Sequence, residues 1–497
     1  MAIEYEPTTP ALPQPDLLDS ATAGPAAIRG SALRTAGYVV GVLLSIVSVP
    51  LLFGRLQAVN YGHYVAVIAL VTIVQGFTDV GLGQIGVREF ATRVGEDRER
   101  LMRNLVGVRF VLTSVGVALA TAFAAAVGYG HAVVAGTLLA GVGMVLTVVQ
   151  GTFVIPLVAQ LRLGWVTALD LLRQVLSVAG IVILVIAGSQ LLAFLAIAIP
   201  VAVVVLAATL ALVRGSLALR PSFDRAEWSL LLRAVLPFAA AVVIGTLYLR
   251  VTVVLTSLLA SQKQSGYYAL SFTVISVLVA IPALTVGSTL PVLARAARDD
   301  RERLGYVLGR LVDVTTIVGV GLGLGLVLGA GFVTHVLTQG KPGSATSVLQ
   351  IQSLAIVTQF VGSSWQYGLL ALHRHRALLL VSTAGLVVSV CVALILVPPL
   401  QARGAAIAFA SGEVVVAVLS FAALRVARPD IRFSLRVPAR VVLAAAVGGA
   451  AALIPGLTSL PVSLIGGALF AMVLVVSRAI PPELMHAARN RPKPAAP

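Results

Sequence analysis

The chain is a succession of about fourteen apolar stretches separated by short polar breaks. Each is close to the length of about 20 residues that a helix needs to cross a bilayer core of about 30 Å. Inside hydrocarbon every backbone N–H and C=O must find a partner within the protein, which leaves only helices and closed β-barrels. Barrel strands alternate polar and apolar residues and these stretches do not, so the spans are helices. Composition agrees, with 11% charged and 59% hydrophobic residues in 497, against about 25% charged in soluble domains. The predicted fold class is all-α and polytopic, with about fourteen transmembrane helices.

One stretch occurs twice. Tyr61-Gly62-His63-Tyr64 opens an apolar run that passes Gly83 and ends in Glu96-Asp97-Arg98-Glu99-Arg100-Leu101. Ser265-Gly266-Tyr267-Tyr268 opens a second run that passes Gly287 and ends in Asp299-Asp300-Arg301-Glu302-Arg303-Leu304. Gly62 and Gly266, Tyr64 and Tyr268, and Gly83 and Gly287 are each 204 positions apart, the mark of an internal duplication. The copies begin the second and eighth spans, so they cross the membrane in the same sense. Parallel repeats of this kind relate two halves about an axis along the membrane normal, with a cavity between them. The predicted organisation is a disordered tail (1–28), a lobe of six helices (29–215), a second lobe of six (216–425), a helix pair (426–480) and a basic tail (481–497). The pseudo-two-fold relates the two lobes.

The net charge of +16 does not point to nucleic acid, because the arginines are distributed as in a membrane protein. With the N-terminus cytoplasmic, the inside segments hold Arg29 and Arg34, the arginines from Arg88 to Arg103, Arg162, Arg173, those from Arg214 to Arg233, those from Arg295 to Arg310, Arg374, Arg376 and those from Arg425 to Arg440. The outside segments hold only Arg55, Lys263, Lys341 and Arg403. Both termini are therefore predicted to be cytoplasmic. In a Cys391→Ala background, single cysteines at Gly130, Gln264 and Gly340 should label from outside, and cysteines at Gly95 and Asp300 should not. Equal labelling of Gly95 and Gly130 would overturn this topology.

No nucleotide-binding loop and no Cys/His cluster of metal spacing is present, and the single cysteine excludes an internal disulfide. No cofactor, metal or enzymatic activity is expected. The candidate residues are instead polar groups placed where lipid would penalise them. Asp79 lies about 12 Å from the inner end of the second span at helical rise, on one face with Thr72, Gln75 and Gly83. It reads either as a cation- or proton-binding carboxylate or as a structural one paired with a basic residue. Arg250 lies about 25 Å beyond Arg233 in the seventh span, and is either an anion ligand facing a cavity or an arginine reaching for the outer interface. Arg55 ends the first span as an interface anchor or a cleft residue. Gln352, Gln359, Ser363 and Gln366 share a face of the tenth span, suited to helix packing or to a cleft. Glu413 in the twelfth span is a second candidate proton site. Pro50, Pro237 and Pro282 can bend helices around a cavity.

Three groups of residues resemble a known family. Leu52-Phe53-Gly54-Arg55-Leu56, Asn60-Tyr61-Gly62-His63-Tyr64 and Asp79-Val80-Gly81-Leu82-Gly83 leading into Arg88-Glu89 are similar to the N-terminal signature of polysaccharide-biosynthesis flippases of the multidrug/oligosaccharidyl-lipid/polysaccharide exporter superfamily. Ser265-Gly266-Tyr267-Tyr268-Ala269 and Arg403-Gly404-Ala405-Ala406-Ile407-Ala408 resemble the starts of that family's eighth and twelfth spans. The resemblance implies a flippase that carries a polyprenyl-(di)phosphate-linked oligosaccharide outward by alternating access. Its implied partners are the polyprenyl-linked glycan lipid, membrane lipid, and the polysaccharide polymerase and glycosyltransferases, with the transporter a monomer. The expected cleft residues are Arg250, Asp79, Gln75, Arg55, Thr252, Gln359 and Gln366, with Asp79 and Glu413 for ion coupling. Thr252 stands where many relatives carry an acidic residue, a departure from carboxylate coupling in that lobe. Two alternatives stay open: a cation-coupled small-molecule antiporter of the same superfamily, and a membrane glycan polymerase or ligase.

Overall fold

The computed structural model describes residues 23–479 apart from 80, 214–221, 288, 300, 432 and 435. Every regular element among them is helical. In chain order these are α1 (Ala23–Asp79), α2 (Leu82–Thr92), α3 (Gly95–Ala126), α4 (His131–Ala159), α5 (Leu163–Ile186), α6 (Leu191–Ala196), α7 (Ala198–Leu212) and α8 (Arg225–Leu259). They continue as α9 (Gln262–Gly287), α10 (Leu290–Asp299), α11 (Arg301–Leu337), α12 (Ala345–Ala371), α13 (His375–Leu400), α14 (Ala402–Ala427), α15 (Arg436–Gly449) and α16 (Ser459–Val476). Twelve stretches among the described residues are long and apolar enough to span a membrane, so this is a multi-pass membrane protein. The expected count of fourteen is not established by that measure, in part because Val47–Thr92 counts as one span. Yet the chain reverses within it. Gln57 has φ 58° and ψ 175°, and the Phe53 and Tyr61 ring centroids are 5.2 Å apart, where unbroken helix would separate these residues by about 12 Å along the axis.

Two sequence expectations are revised. The predicted tail extended to residue 28, but α1 already begins at Ala23; the rest of that tail, the basic tail after Ala479 and the side chains of Pro237 and Pro282 lie outside the described residues. The charged strings belong to the helices: Glu96 and Asp97 form the first turn of α3 and Glu302 that of α11. Carboxylates there complement the helix dipole. The other revision is that the second span is interrupted. Gly81 adopts φ 85°, a left-handed conformation open to glycine at little cost, and separates α1 from α2 just after Asp79. The duplicated arm is broken likewise between α9 and α10.

The two arms of α1 together pack against α3, α4, α5, α8 and α9. Helix α9 continues the packing onto α12, α12 onto α11 and α14, and α13 onto α8 and α14, while α15 and α16 pack together against α11. The largest apolar core lies where α1 and α9 meet, around Leu52, Tyr61, Leu70, Tyr268, Phe272 and Phe360. Here the duplicated glycines touch. A Cβ on Gly62 would stand 2.9 Å from the Gly266 nitrogen, and one on Gly266 would overlap the Ala58 carbonyl. Two backbones can approach this closely only where both helices lack a side chain.

The turns expected outside also join one another. Arg55 donates to the carbonyls of Gly188 and Ser189, Tyr129 and Ser257 bond through their hydroxyls, the Ser261 N–H donates to Gln401 Oε1 at 2.7 Å, and Ser344 donates to Gln264 at 2.6 Å. At the opposite end the start of α8 is strapped to α2 and α3. Arg93 reaches Glu227 at 2.6 Å, Arg100 pairs with Asp224, and the Ser222 N–H donates to the Arg103 carbonyl at 3.0 Å. The Arg100 guanidinium and the Ala226 N–H hold the Asp224 carboxyl below its usual range.

Candidate functional site

A cavity of about 400 Å³ opens between the two copies of the duplicated arm. Its walls come from α1 (Ser48, Tyr61, Tyr64), α5 (Gln174, Ile181), α8 (Arg250) and α9 (Phe272, Thr273, Ser276). Among the described residues that line it, Arg250 alone is charged. Its guanidinium carbon lies 5.6 Å from the centre of the Phe272 ring, a cation–π contact that orients the group without neutralising it. Thr273 donates to the Ala269 carbonyl at 2.9 Å, so its oxygen is left to accept from the Tyr61 hydroxyl at 3.0 Å. Tyr61 thereby closes the cavity toward the Gly62–Gly266 contact. Gln174 enters over Gly41, where a Cβ would overlap it, and its buried Oε1 has no hydrogen-bond partner. Sequence reasoning missed Gln174, whose only signal was a polar residue at the start of the fifth apolar run.

A second cavity of about 670 Å³ lies among α1, α2, α3, α4 and α5, with Val242 of α8 at its edge. Gln75 and Asp79 line it, as their shared helix face predicts, with Arg109, Gln150, Asp170 and Arg173. Asp79 is ion-paired to Arg109 at 2.5 Å; the arginine side chain is 6% exposed and the aspartate 47%, so the cation is the buried partner. Arg109 also donates to Thr152 at 3.3 Å. Arg173 donates to Gln150 at 2.5 Å, and Gln150 in turn donates to Thr209 at 2.9 Å. Of the two readings of Asp79, this geometry supplies the basic partner that the structural one requires, on α3. Arg109 was legible only as an arginine a few residues inside the third apolar run.

The other candidates are placed apart. Arg55 donates to the carbonyls of Gly188 and Ser189 in the turn that follows α5. Thr252 is fully buried and accepts from Tyr268 at 2.9 Å. Gln359 and Gln366 on α12 line neither cavity. Glu413 on α14 is buried, 3% exposed, and accepts from the Tyr248 hydroxyl at 2.7 Å. It has no cationic partner among the described residues, and Tyr248 stands two residues before Arg250 on α8.

The Asp79–Arg109 geometry makes a prediction. Asp79→Asn strands a buried guanidinium, so thermal stability and membrane abundance should fall together, by about 1–3 kcal/mol given the half-exposed aspartate. Asp79→Asn combined with Arg109→Gln should recover most of that loss. A single Asp79→Asn variant with unchanged melting and abundance would show that the pair is not structural.

The family model described as "Polysaccharide biosynthesis protein" matches residues 27–297. No curated protein sequence matches the chain. Among solved structures, a lipid II flippase MurJ in an inward closed conformation superposes with a TM-score of 0.76 at 12% identity, covering 92% of this chain and 100% of that one. An inward-facing multidrug resistance MATE family transporter of the MOP superfamily gives a TM-score of 0.65 at 14% identity, over 81% of this chain and 98% of that one. A MOP superfamily transporter from Pyrococcus furiosus gives 0.54 at 16%, over 82% and 96%. These likenesses concern the fold.

Proposed function

The chain belongs to the polysaccharide biosynthesis protein family and has the fold of the MOP-superfamily transporters, and from that premise we propose that it is a flippase for a polyprenyl-(di)phosphate-linked oligosaccharide. The observation that carries this reading is Arg250: a cation without a carboxylate, in a cavity between the two copies of the duplicated arm. The barrier to flipping is the head group, since the lipid tail need not leave hydrocarbon. A cavity that offers an arginine to phosphate and hydroxyls to sugar replaces the hydration that a phosphate would otherwise lose. Arginine suits the task because its planar fork donates two parallel hydrogen bonds and stays charged.

In this reading residues 29–215 and 216–425 act as two lobes that rock about the cavity, in the inner membrane with both termini cytoplasmic. The Gly62–Gly266 contact and the Tyr61–Thr273 bond close the outer side. Glu413 takes up and releases a proton against Tyr248, coupling the motion to a gradient. Residues 426–480 are an appended pair, the transporter works as a monomer, and its product passes to the polymerase and glycosyltransferases of surface polysaccharide assembly. The antiporter reading requires carboxylates toward a cationic drug, and the cavity around Arg250 has none among the described residues that line it.

The test is depletion of the protein in cells and delivery in reconstituted vesicles. A lipid-linked glycan should accumulate in the inner leaflet, and the same lipid should reach the outer leaflet of vesicles holding the purified protein. Export of cationic dyes with no effect on lipid-linked glycans would replace this reading by the antiporter. Glu413→Gln should abolish the response of delivery to an imposed pH gradient while gradient-independent exchange persists; an unchanged response would remove Glu413 from coupling.

A further inference from the structure

A third concavity, of about 420 Å³, lies away from both cavities, where the first turns of α11 meet the start of α15 and the end of α16. Four arginines from three chain segments line it: Arg310 on α11, Arg436 and Arg440 on α15, and Arg478 just beyond α16. Asp313 is the single carboxylate in the lining, 3.7 Å from Arg310, so the pocket keeps a net positive charge. Arg310 stacks 5.4 Å from the centre of the Tyr306 ring. Arg440 donates to the Arg478 carbonyl at 3.2 Å, which ties α15 to the end of α16. Phe433, Val312 and Val437 complete an apolar wall beside the cations.

We infer that this pocket binds the phosphate head group of an anionic membrane phospholipid, of which phosphatidylglycerol is the simplest. The pocket sits where helices of membrane-spanning composition end, the depth at which head-group phosphates lie, and basic pockets between such helices suit anionic lipids. Beyond it α15 and α16 present exposed Leu443, Val442, Val475 and Val476, a surface that acyl chains can cover once the phosphate is held. The guanidinium fork favours a phosphate diester over a merely diffuse negative surface. A lipid held here would bridge α11 to the α15–α16 pair. The inference does not depend on what the central cavity carries.

The experiment uses the full-length protein in phosphatidylcholine nanodiscs carrying a minor fraction of phosphatidylglycerol, with retained lipid read by native mass spectrometry after ejection from the discs. Wild type should retain phosphatidylglycerol over phosphatidylcholine. Arg436→Gln/Arg440→Gln/Arg478→Gln should retain about fivefold less, as expected when several charge-assisted phosphate contacts are removed. Arg88→Gln/Arg374→Gln/Arg376→Gln, which removes the same charge elsewhere, should retain the wild-type amount. Equal loss in both triple variants would reduce the effect to bulk charge and overturn the inference. Displacement by millimolar inorganic phosphate would assign the site to a soluble anion, and retention of polyprenyl phosphate with rejection of phosphatidylglycerol would assign it to the transported lipid; either result also overturns it. Melting in pure phosphatidylcholine checks the fold of the triple variant. Should that variant melt early, Arg436→Gln alone, at an exposed side chain, should still retain about half the wild-type lipid, and wild-type retention by it would count against the site.

Discussion

Replacing Arg250 by alanine should reduce outer-leaflet delivery of the lipid-linked sugar by about tenfold to hundredfold, with inserted protein unchanged. The magnitude follows from losing hydrogen bonds to a charged group, each worth about 1.5–3 kcal/mol, at a rate of about tenfold per 1.4 kcal/mol. Arg250→Lys keeps the charge but not the two-pronged donor, so it should fall between wild type and alanine. Phe272→Leu removes the ring that orients the guanidinium and should cost less, about threefold, in line with a cation–π contact of about 0.5–1 kcal/mol. An arginine whose only task was to reach the interface would give a different series, with lysine equal to wild type and alanine nearly so. Wild-type delivery by the alanine variant, measured in vesicles and normalised to inserted protein, would leave the cationic-cavity mechanism without its ligand.

The second large effect is expected at Gly266. In an exposed helix interior, glycine to alanine is stabilising by about 0.5–1 kcal/mol. At Gly266 the sign should reverse, because the added Cβ overlaps the Ala58 carbonyl and overpacking of this kind costs about 1–3 kcal/mol. Gly266→Val should cost more. The loss falls on the closed arrangement, since the contact joins α1 to α9 at the end expected outside. Transport should stall, and a cysteine at Thr273, which lines the central cavity, should label from outside several-fold faster than in the parent. Gly467→Ala on α16, where a Cβ meets nothing within 4 Å, is the control and should leave both properties intact. Unchanged labelling of Thr273 in a folded Gly266→Val variant would show that this contact is not the outer closure.

The class of protein and its all-helical character were legible in the amino-acid sequence, as was the duplication, because hydropathy belongs to each residue and accumulates along about 20 positions regardless of what lies alongside. The sequence likewise singled out Asp79, Arg250 and Glu413, since a charge inside an apolar run is visible without knowing its neighbours. The neighbours were decided only by tertiary structure. Arg109 meets Asp79 from thirty residues away, Tyr248 meets Glu413 across 165 positions, and Gln174 fills the space that Gly41 leaves. Each of these pairings depends on the rotation and axial register of one helix against another, and no hydrophobic period fixes either. The duplicated glycines show the boundary most clearly. Their spacing is plain in the sequence, but that Gly62 and Gly266 face each other, and so set how closely the two arms approach, follows from packing that buries α1 against α9.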